Sequence, residues 1–140
     1  MPPDCAAPHP TANSPIKVLI VEDEFVIAAN LKETLEALGY VVTGMADSLI
    51  ETLTQVKQDY PDVVLMDIQL RGPQDGIAIA ALLWELFQLP VVYLTGHSDR
   101  FTLKRANASR PFGYLVKPVQ PTDLVMAINV AYRFGRAQQS

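Results

Sequence analysis

Residues 63–67, Val-Val-Leu-Met-Asp, decide the fold of this chain. Four consecutive apolar residues, two of them β-branched, are typical of a strand that is buried on both faces. Such strands occur in parallel sheets that helices cover on each side. The acidic residue after the strand then lies at its carboxyl end, where open α/β sheets carry their ligand sites. The stretch therefore predicts both the kind of sheet and the place of the chemistry.

Similar short apolar runs recur along the chain, at 16–21, 40–43, 91–94 and 113–116. Each run is followed by a segment with helical spacing of apolar residues. A strand needs a crossover to reach a parallel neighbour, and a helix supplies it. Five strands that alternate with five helices therefore predict one doubly wound α/β domain with a five-stranded parallel sheet.

The helices are predicted from apolar faces and from their end signals. The first ends before Gly39, the second begins with a capping box of Ser48 and Glu51, and the last begins at Pro121. The third covers 76–88, and the fourth covers about 99–107. The predicted core faces are Ile27, Leu31, Leu35 and Leu38; Leu49, Leu53 and Val56; Ile79, Leu83 and Leu86; and Leu124, Ile128 and Ala131.

Length and charge limit what the chain can be. Its 140 residues, 49% hydrophobic, suit one domain. We expect a flexible leader at 1–14, the folded domain at 15–136 and a short tail at 137–140. A net charge of −4 argues against a nucleic-acid partner, since phosphate binding depends on Lys and Arg. The single cysteine, Cys5, and the lack of a long apolar stretch or signal-peptide pattern predict a cytoplasmic protein without membrane insertion.

Polar residues follow four of the strands: Glu22, Asp23, Glu24, Asp67, Thr95 and Lys117. The carboxyl ends of parallel strands meet at one edge, so these side chains should converge there. Clustered carboxylates favour a hard cation with oxygen ligands, and Mg²⁺ needs only one or two of them. Asp23 and Asp67 are the candidate direct ligands, and Glu22 reaches the ion through water.

A carboxylate beside Mg²⁺ and a lysine can also attack phosphorus. Asp67 would then become an acyl phosphate, with its oxygens neutralised by the metal, the Lys117 ammonium and the Thr95 hydroxyl. Gly96 would leave room for the incoming group. The pattern indicates a phosphoryl-accepting site.

The chain resembles the response-regulator receiver family over about 16–133. The shared motifs are Val-Leu-Ile-Val-Glu-Asp-Glu at 18–24, Val-Val-Leu-Met-Asp-Ile at 63–68, Asp-Gly at 75–76, Tyr-Leu-Thr-Gly at 93–96 and Gly-Tyr-Leu-Val-Lys-Pro at 113–118. Their order, each after a predicted strand, makes the combination specific. The resemblance implies a flavodoxin-like sheet with strand order 2-1-3-4-5.

The resemblance also implies roles for the site. Asp67 accepts phosphate from a sensor histidine kinase or a histidine phosphotransfer protein. Glu22, Asp23 and the backbone carbonyl of Gln69 complete an Mg²⁺ site with Asp67, or an Mn²⁺ site. The family acts as a signalling switch in two-component phosphorelays, catalysing only its own phosphorylation and dephosphorylation.

Further implied features concern the output. Thr95 and Tyr114 match the switch pair, in which the hydroxyl moves toward the phosphate and the ring turns inward. The bond between Lys117 and Pro118 matches one that is usually cis. The face made by the fourth helix, fifth strand and fifth helix would then form a homodimer or meet an effector.

One segment departs from the family pattern. The segment 69–76 lacks the usual Met-Pro after the acceptor and is one residue longer. Gln69 and His97 occupy the positions that tune phosphate lifetime in the family, so the lifetime stays unpredicted.

Plainer interpretations remain for several residues. Asp67 could cap a helix, Thr95 could satisfy backbone groups, and Lys117 could be a surface lysine. Tyr114 could be a packing aromatic, and His97 an exposed loop residue. Trp84 and Phe87 extend a second apolar stripe on the third helix, which suits either a wide buried face or a partner contact.

Two other hypotheses compete with the switch: an interaction-only receiver, and a flavodoxin-like cofactor binder or small hydrolase on the same architecture. A receiver that acts only as an interaction module usually lacks an acid or the lysine, and none is missing here. A flavin binder would need a phosphate loop after the first strand, where three acids stand instead. An aspartyl phosphatase would need a second acid at Gln69. The sequence favours the phosphoryl-accepting switch.

Overall fold

Strands and helices alternate along residues 14–96, 100–108 and 111–138, the part of the chain that the computed structural model describes. In chain order the elements are β1 (Lys17–Val21), α1 (Phe25–Ala37), β2 (Val41–Ala46), α2 (Leu49–Gln58), β3 (Val63–Asp67), α3 (Gly76–Phe87), β4 (Val91–Thr95), α4 (Arg100–Ala108), β5 (Gly113–Val116) and α5 (Pro121–Ala137). The predicted alternation of five strands with five helices is confirmed.

The strands form one parallel sheet in the order β2-β1-β3-β4-β5, as expected. β3 lies at the centre, and every residue of β3 and β4 is buried. This burial explains their unbroken apolar sequences, because helices cover both faces. The carboxyl ends of β1, β3, β4 and β5 consequently meet at one edge of the sheet.

The core divides into two layers, one on each face of the sheet. One layer contains Leu19, Val64 and Tyr93 from the strands together with buried residues of α2, α3 and α4. The other contains Ile20 and Leu65 with buried residues of α1 and α5. Neighbouring strand residues point to opposite faces, so one run of apolar residues supplies both layers.

The helix ends follow the predicted signals. Gly39 adopts a φ of +97° just after α1, a conformation that glycine takes without strain. The Ser48 side chain accepts a hydrogen bond from the Glu51 N–H, and the Glu51 carboxylate accepts one from the Asp47 N–H. This reciprocal pair is a capping box shifted by one residue on its second bond.

β2 is longer than predicted, since it runs to Ala46 instead of ending at Thr43. Its pairing with β1 slips between Val18 and Leu19, so that Thr43 is passed over and Gly44 faces Leu19. A Cβ added at Gly44 would lie 2.2 Å from the Gln55 side-chain oxygen. The glycine leaves room for the Gln55 side chain of α2 to lie close to the strand.

The predicted core face of α3 is partly wrong. Leu86 is 59% exposed. Trp84 and Phe87 are half-buried instead, against Phe112 at 5.5 Å and Tyr60 at 6.3 Å between ring centroids. The helix is apolar nearly all round, so periodicity could not identify the buried side.

Some predictions fall on residues that the structure does not describe. These are the leader at 1–13, His97, the first residue of the predicted fourth helix at 99, and 139–140. Helix α5 includes Ala137, one residue into the predicted tail. Among the described helices, none combines the length and apolarity that a membrane crossing requires.

Candidate functional site

Asp67 ends the central strand and is buried at the carboxyl edge of the sheet. Its Oδ1 accepts a hydrogen bond from the Gln69 N–H at 3.0 Å. The Gly76 N–H donates to the Ile68 carbonyl at 3.0 Å, and a Cβ added at Gly76 would lie 2.0 Å from the Asp67 carbonyl oxygen. The start of α3 thus packs directly on the backbone of Asp67, which only a glycine permits.

Lys117 reaches this site from β5. Its Nζ lies 2.7 Å from Glu22 Oε1 and 3.3 Å from Asp67 Oδ2. The Lys117 N–H donates to the Thr95 carbonyl at 2.9 Å, and the bond to Pro118 is cis, as the resemblance implied. One ammonium group therefore bridges acids from two different strands.

Glu22 has an altered acidity in this position. Burial, reinforced by the neighbouring Asp67 carboxylate, raises the pKa of Glu22 from 4.5 to about 7. The Lys117 ammonium opposes this rise without cancelling it. Burial would lower the pKa of Lys117, yet the two carboxylates outweigh it and raise that pKa, so the lysine stays charged.

Asp23 completes a cluster of three acids, Glu22, Asp23 and Asp67, hereafter the acid cluster. One carboxylate oxygen from each lies within 4.8 Å of the other two. Asp23 Oδ2 accepts a hydrogen bond from the Arg71 N–H at 3.0 Å. Glu24, the next acid in sequence, is exposed and contributes only its N–H, which donates to Glu22 at 3.3 Å.

The acid cluster suits a hard divalent ion. Its donors are carboxylate oxygens that Mg²⁺ prefers, and three acids close together exceed the charge of Lys117. Burial raises the pKa of Glu22 and the Asp67 carboxylate adds to that rise, so a bound cation would stabilise the charged form of Glu22. The geometry fits the predicted ligands Glu22, Asp23 and Asp67, while the role of the Gln69 carbonyl stays a prediction.

The two predicted switch residues lie on neighbouring strands. Thr95 is buried at the end of β4, opposite Val116 of β5. Tyr114 is half-buried, with its ring centroid 6.0 Å from that of Tyr93, and its hydroxyl donates to the Asn107 side chain in α4. By the alternation of strand residues, Thr95 and Tyr114 project from the same face of the sheet.

A second contact holds α4. The Arg105 guanidinium lies 2.7 Å from Asp75 Oδ2, and Asp75 also caps α3 by accepting from the Ala78 N–H. Burial alone would raise the pKa of Asp75, but these two donors hold it below its usual value. We call the pairs Arg105–Asp75 and Tyr114–Asn107 the α4 latch.

Sequence reasoning missed Arg71, Arg105 and Asn107. Arg71 could have been suspected, because the lengthened segment places a basic residue four positions after Asp67. No spacing rule relates Arg105 to Asp75 or Asn107 to Tyr114, since each pair joins separate elements. Gly96 is exposed, and a Cβ added there would have no described atom within 4 Å.

Comparison with known proteins identifies the family of the chain. Residues 18–129 match the family described as the response regulator receiver domain. The chain belongs to this family. It is the receiver domain of a two-component response regulator, a class of signalling switches that generally bind Mg²⁺ and have kinase partners.

Curated relatives of this receiver domain are longer proteins. A transcriptional regulatory protein, PdtaR, of Mycobacterium tuberculosis is 37% identical over 84% of this chain and 57% of its own length. A positive alginate biosynthesis regulatory protein of Pseudomonas aeruginosa is 40% identical over 88% of this chain and 50% of its own length. The chain spans about half the length of these relatives.

A solved structure agrees with this assignment. The signal receiver domain of a modulated diguanylate cyclase from Desulfovibrio desulfuricans G20 superposes with a TM-score of 0.83 at 38% identity. The match covers 89% of this receiver domain and 99% of that chain.

Proposed function

We propose that this receiver domain accepts a phosphoryl group on Asp67 from a histidine kinase or a histidine phosphotransfer protein. The observation that carries the proposal is the position of Lys117 Nζ, 2.7 Å from Glu22 and 3.3 Å from Asp67 at the end of the central strand. Burying charged groups costs free energy. A receiver that only bound partners would have no need of a lysine and two acids at this buried place, whereas phosphoryl transfer uses them.

In the proposed transfer, a carboxylate oxygen of Asp67 attacks the phosphorus of a phosphohistidine. The new O–P bond forms as the P–N bond breaks, and the histidine ring, already protonated on its other nitrogen, leaves as neutral imidazole. The Lys117 ammonium is placed to neutralise a phosphoryl oxygen, since it already contacts Asp67. The Thr95 hydroxyl would hold a second oxygen after a small movement.

The metal belongs to the same proposal. Glu22, Asp23, Asp67 and the Gln69 carbonyl would hold Mg²⁺ or Mn²⁺, which neutralises phosphoryl charge when bound. The Gln69 N–H keeps Asp67 oriented through its bond to Oδ1, so the other oxygen, Oδ2, faces Lys117. Asp67 therefore presents one fixed and one reactive oxygen.

The output of the switch is proposed to pass through α4. Movement of Thr95 toward a phosphoryl group would open space on the face that it shares with Tyr114. Inward rotation of Tyr114 would break its bond to Asn107 and release one half of the α4 latch. A modification shifts a two-state element only through such differential contacts.

Apolar surface beside the acid cluster supports a protein phosphodonor. Phe25 and Val26, at the start of α1, are 72% and 70% exposed. A cavity of about 520 Å³ lies between α1 and the β5–α5 connection, with Ile27, Lys117 and Pro118 in its wall. Exposed apolar patches rimmed by polar groups mark partner sites, so a kinase helix is the expected occupant.

We also propose that the domain forms a homodimer through α4, β5 and α5. The cytoplasmic location predicted from the sequence is proposed as well. Met126, Val130 and Phe134 recur every four residues on α5 and are exposed, and Val116 is exposed on β5. Addition of beryllofluoride with Mg²⁺ should shift the protein toward the dimer in light scattering. An unchanged mass would contradict phosphorylation-linked dimerisation.

Phosphorylation can be tested directly with phosphoramidate and Mg²⁺. Intact-mass spectrometry should show the addition of one phosphoryl group to the wild-type chain and none to Asp67→Asn. The matched variant Asp123→Asn removes an exposed carboxylate from the first turn of α5 and should be labelled like the wild type. Labelling of Asp67→Asn, or failure of the wild type to label, would refute the assignment.

A further inference from the structure

The loop after β3 reaches back over the acid cluster. This is the segment that is longer than the family pattern, and it carries Arg71 to Asp23. The Arg71 N–H lies 3.0 Å from Asp23 Oδ2, and the Arg71 Nε lies 3.8 Å from the same oxygen. Asp23 is therefore held by both the backbone and the side chain of one loop residue.

The two cations divide the acid cluster between them. Lys117 contacts Glu22 and Asp67, and Arg71 contacts Asp23. The Asp23 side chain is only 13% exposed, whereas that of Arg71 is 84% exposed. The carboxylate is thus fixed in place, while the guanidinium can leave into water at little cost.

We propose that the Arg71 side chain competes with the divalent ion for Asp23. This inference rests on the proposed function, because it assumes that the acid cluster binds the ion. In the metal-free protein the guanidinium compensates the charge of Asp23. When the ion binds, the two positive charges repel and the guanidinium withdraws, so Arg71 lowers the affinity for the ion.

The Arg71 backbone contributes in the opposite direction. Its N–H donates to Asp23 whatever side chain the residue carries, and so keeps the carboxylate oriented in the metal-free protein. Substitution of the side chain consequently removes the competing charge and retains the positioning bond. This separation makes Arg71→Gln an informative variant.

The size of the effect follows from the exposure of Arg71. An exposed ion pair is worth up to about 1 kcal/mol, so Arg71→Gln should bind the ion about two- to fivefold more tightly. Arg71→Lys keeps a charge at the same place and should stay close to the wild type. Salt screens exposed charges, so the difference between Arg71→Gln and the wild type should shrink at high ionic strength.

Titration with Mn²⁺, with free ion measured by electron paramagnetic resonance, reports binding without any phosphotransfer step. The matched control Arg133→Gln removes the same charge from an exposed position near the end of α5. Tighter binding by Arg71→Gln alone supports the inference. Circular dichroism melts of all variants check that each one folds.

Three results would overturn the inference. Equal or weaker Mn²⁺ binding by Arg71→Gln would show that the guanidinium does not compete. An equal gain in Arg133→Gln would show that net charge alone sets the affinity. If the wild type itself binds no Mn²⁺, the proposed metal site fails and the inference fails with it, whereas unlabelled Asp67 with normal Mn²⁺ binding would affect only the proposed function.

Discussion

The acid cluster and the α4 latch are built in different ways, although both are joined by short polar contacts. Lys117 contacts two residues of the acid cluster, Glu22 and Asp67, which are buried at the ends of β1 and β3. The Arg105–Asp75 and Tyr114–Asn107 pairs of the latch lie where water reaches them. Of residues 104–108 in α4, only Ala106 is buried.

This difference in burial suits the different roles that we propose for the acid cluster and for α4. A group that must capture phosphorus needs fixed neighbours, and strand ends in a buried sheet provide them. An element that must move needs a low cost of release, which few buried contacts and exposed polar bonds provide. Under the proposed function, the reacting residues lie at buried strand ends, whereas the described residues of the responding helix α4 are held through exposed polar contacts.

The largest effect is expected where α3 touches the phosphoacceptor. Gly76→Ala would place a Cβ 2.0 Å from the Asp67 carbonyl oxygen, where backbone must move. We expect a loss of about 3 kcal/mol in the free energy of unfolding. Urea unfolding measures it.

Gly96→Ala is the matched control for this substitution. Its added Cβ meets no described atom within 4 Å, so the free energy of unfolding should change by less than about 0.5 kcal/mol. Similar losses in the free energy of unfolding in both variants would contradict the close packing of the start of α3 on the Asp67 backbone.

A second prediction concerns the pH dependence of the acid cluster. The folded protein holds the proton of Glu22 up to about pH 7, whereas the ordinary pKa is 4.5. The folded state therefore binds more protons in this window, and its stability falls as pH rises. Between about pH 5 and about pH 8, Glu22 should account for a loss of about 2 kcal/mol.

Glu22→Gln should remove most of this pH dependence. Urea unfolding of both proteins in a chelator, at both pH values, gives the difference. Glu36→Gln, on the exposed side of α1, is the control and should follow the wild type. A steep loss that persists in Glu22→Gln would place the responsible group outside the acid cluster.

The smallest effect is expected in the α4 latch. Arg105→Gln removes the contact with Asp75 and should speed amide hydrogen exchange in α4. The free energy of global unfolding should stay unchanged. Lys104→Gln removes the same charge from the adjacent residue. Equal exchange rates in Arg105→Gln and Lys104→Gln would show that the latch does not restrain the helix.

Much of the fold could be predicted because burial in a parallel sheet leaves a local signature. β3 and β4 are continuous apolar runs, and their predicted positions agree with the structure to within a residue. β2 was predicted too short, since Thr43 and Gly44 interrupt its pattern. Leu86 was assigned to the core because α3 is apolar nearly all round, and only packing selects its buried side.

The site was predictable for a related reason. Residues that follow parallel strands must share one edge, so Glu22, Asp23, Asp67 and Lys117 could be placed together without coordinates. Their distances could not be obtained in this way. Neither could the loop contact of Arg71 with Asp23, because the path of an irregular segment depends on what it packs against.

The sequence by itself determined the sheet, the strand-end acids and the lysine, since strand burial and strand direction are properties of short segments. Tertiary structure alone decided which charges pair, which side of α3 is buried, and how α4 is held. Those outcomes depend on contacts between side chains of elements that are distant in sequence. The energy of such a contact depends on both elements, so neither segment predicts it alone.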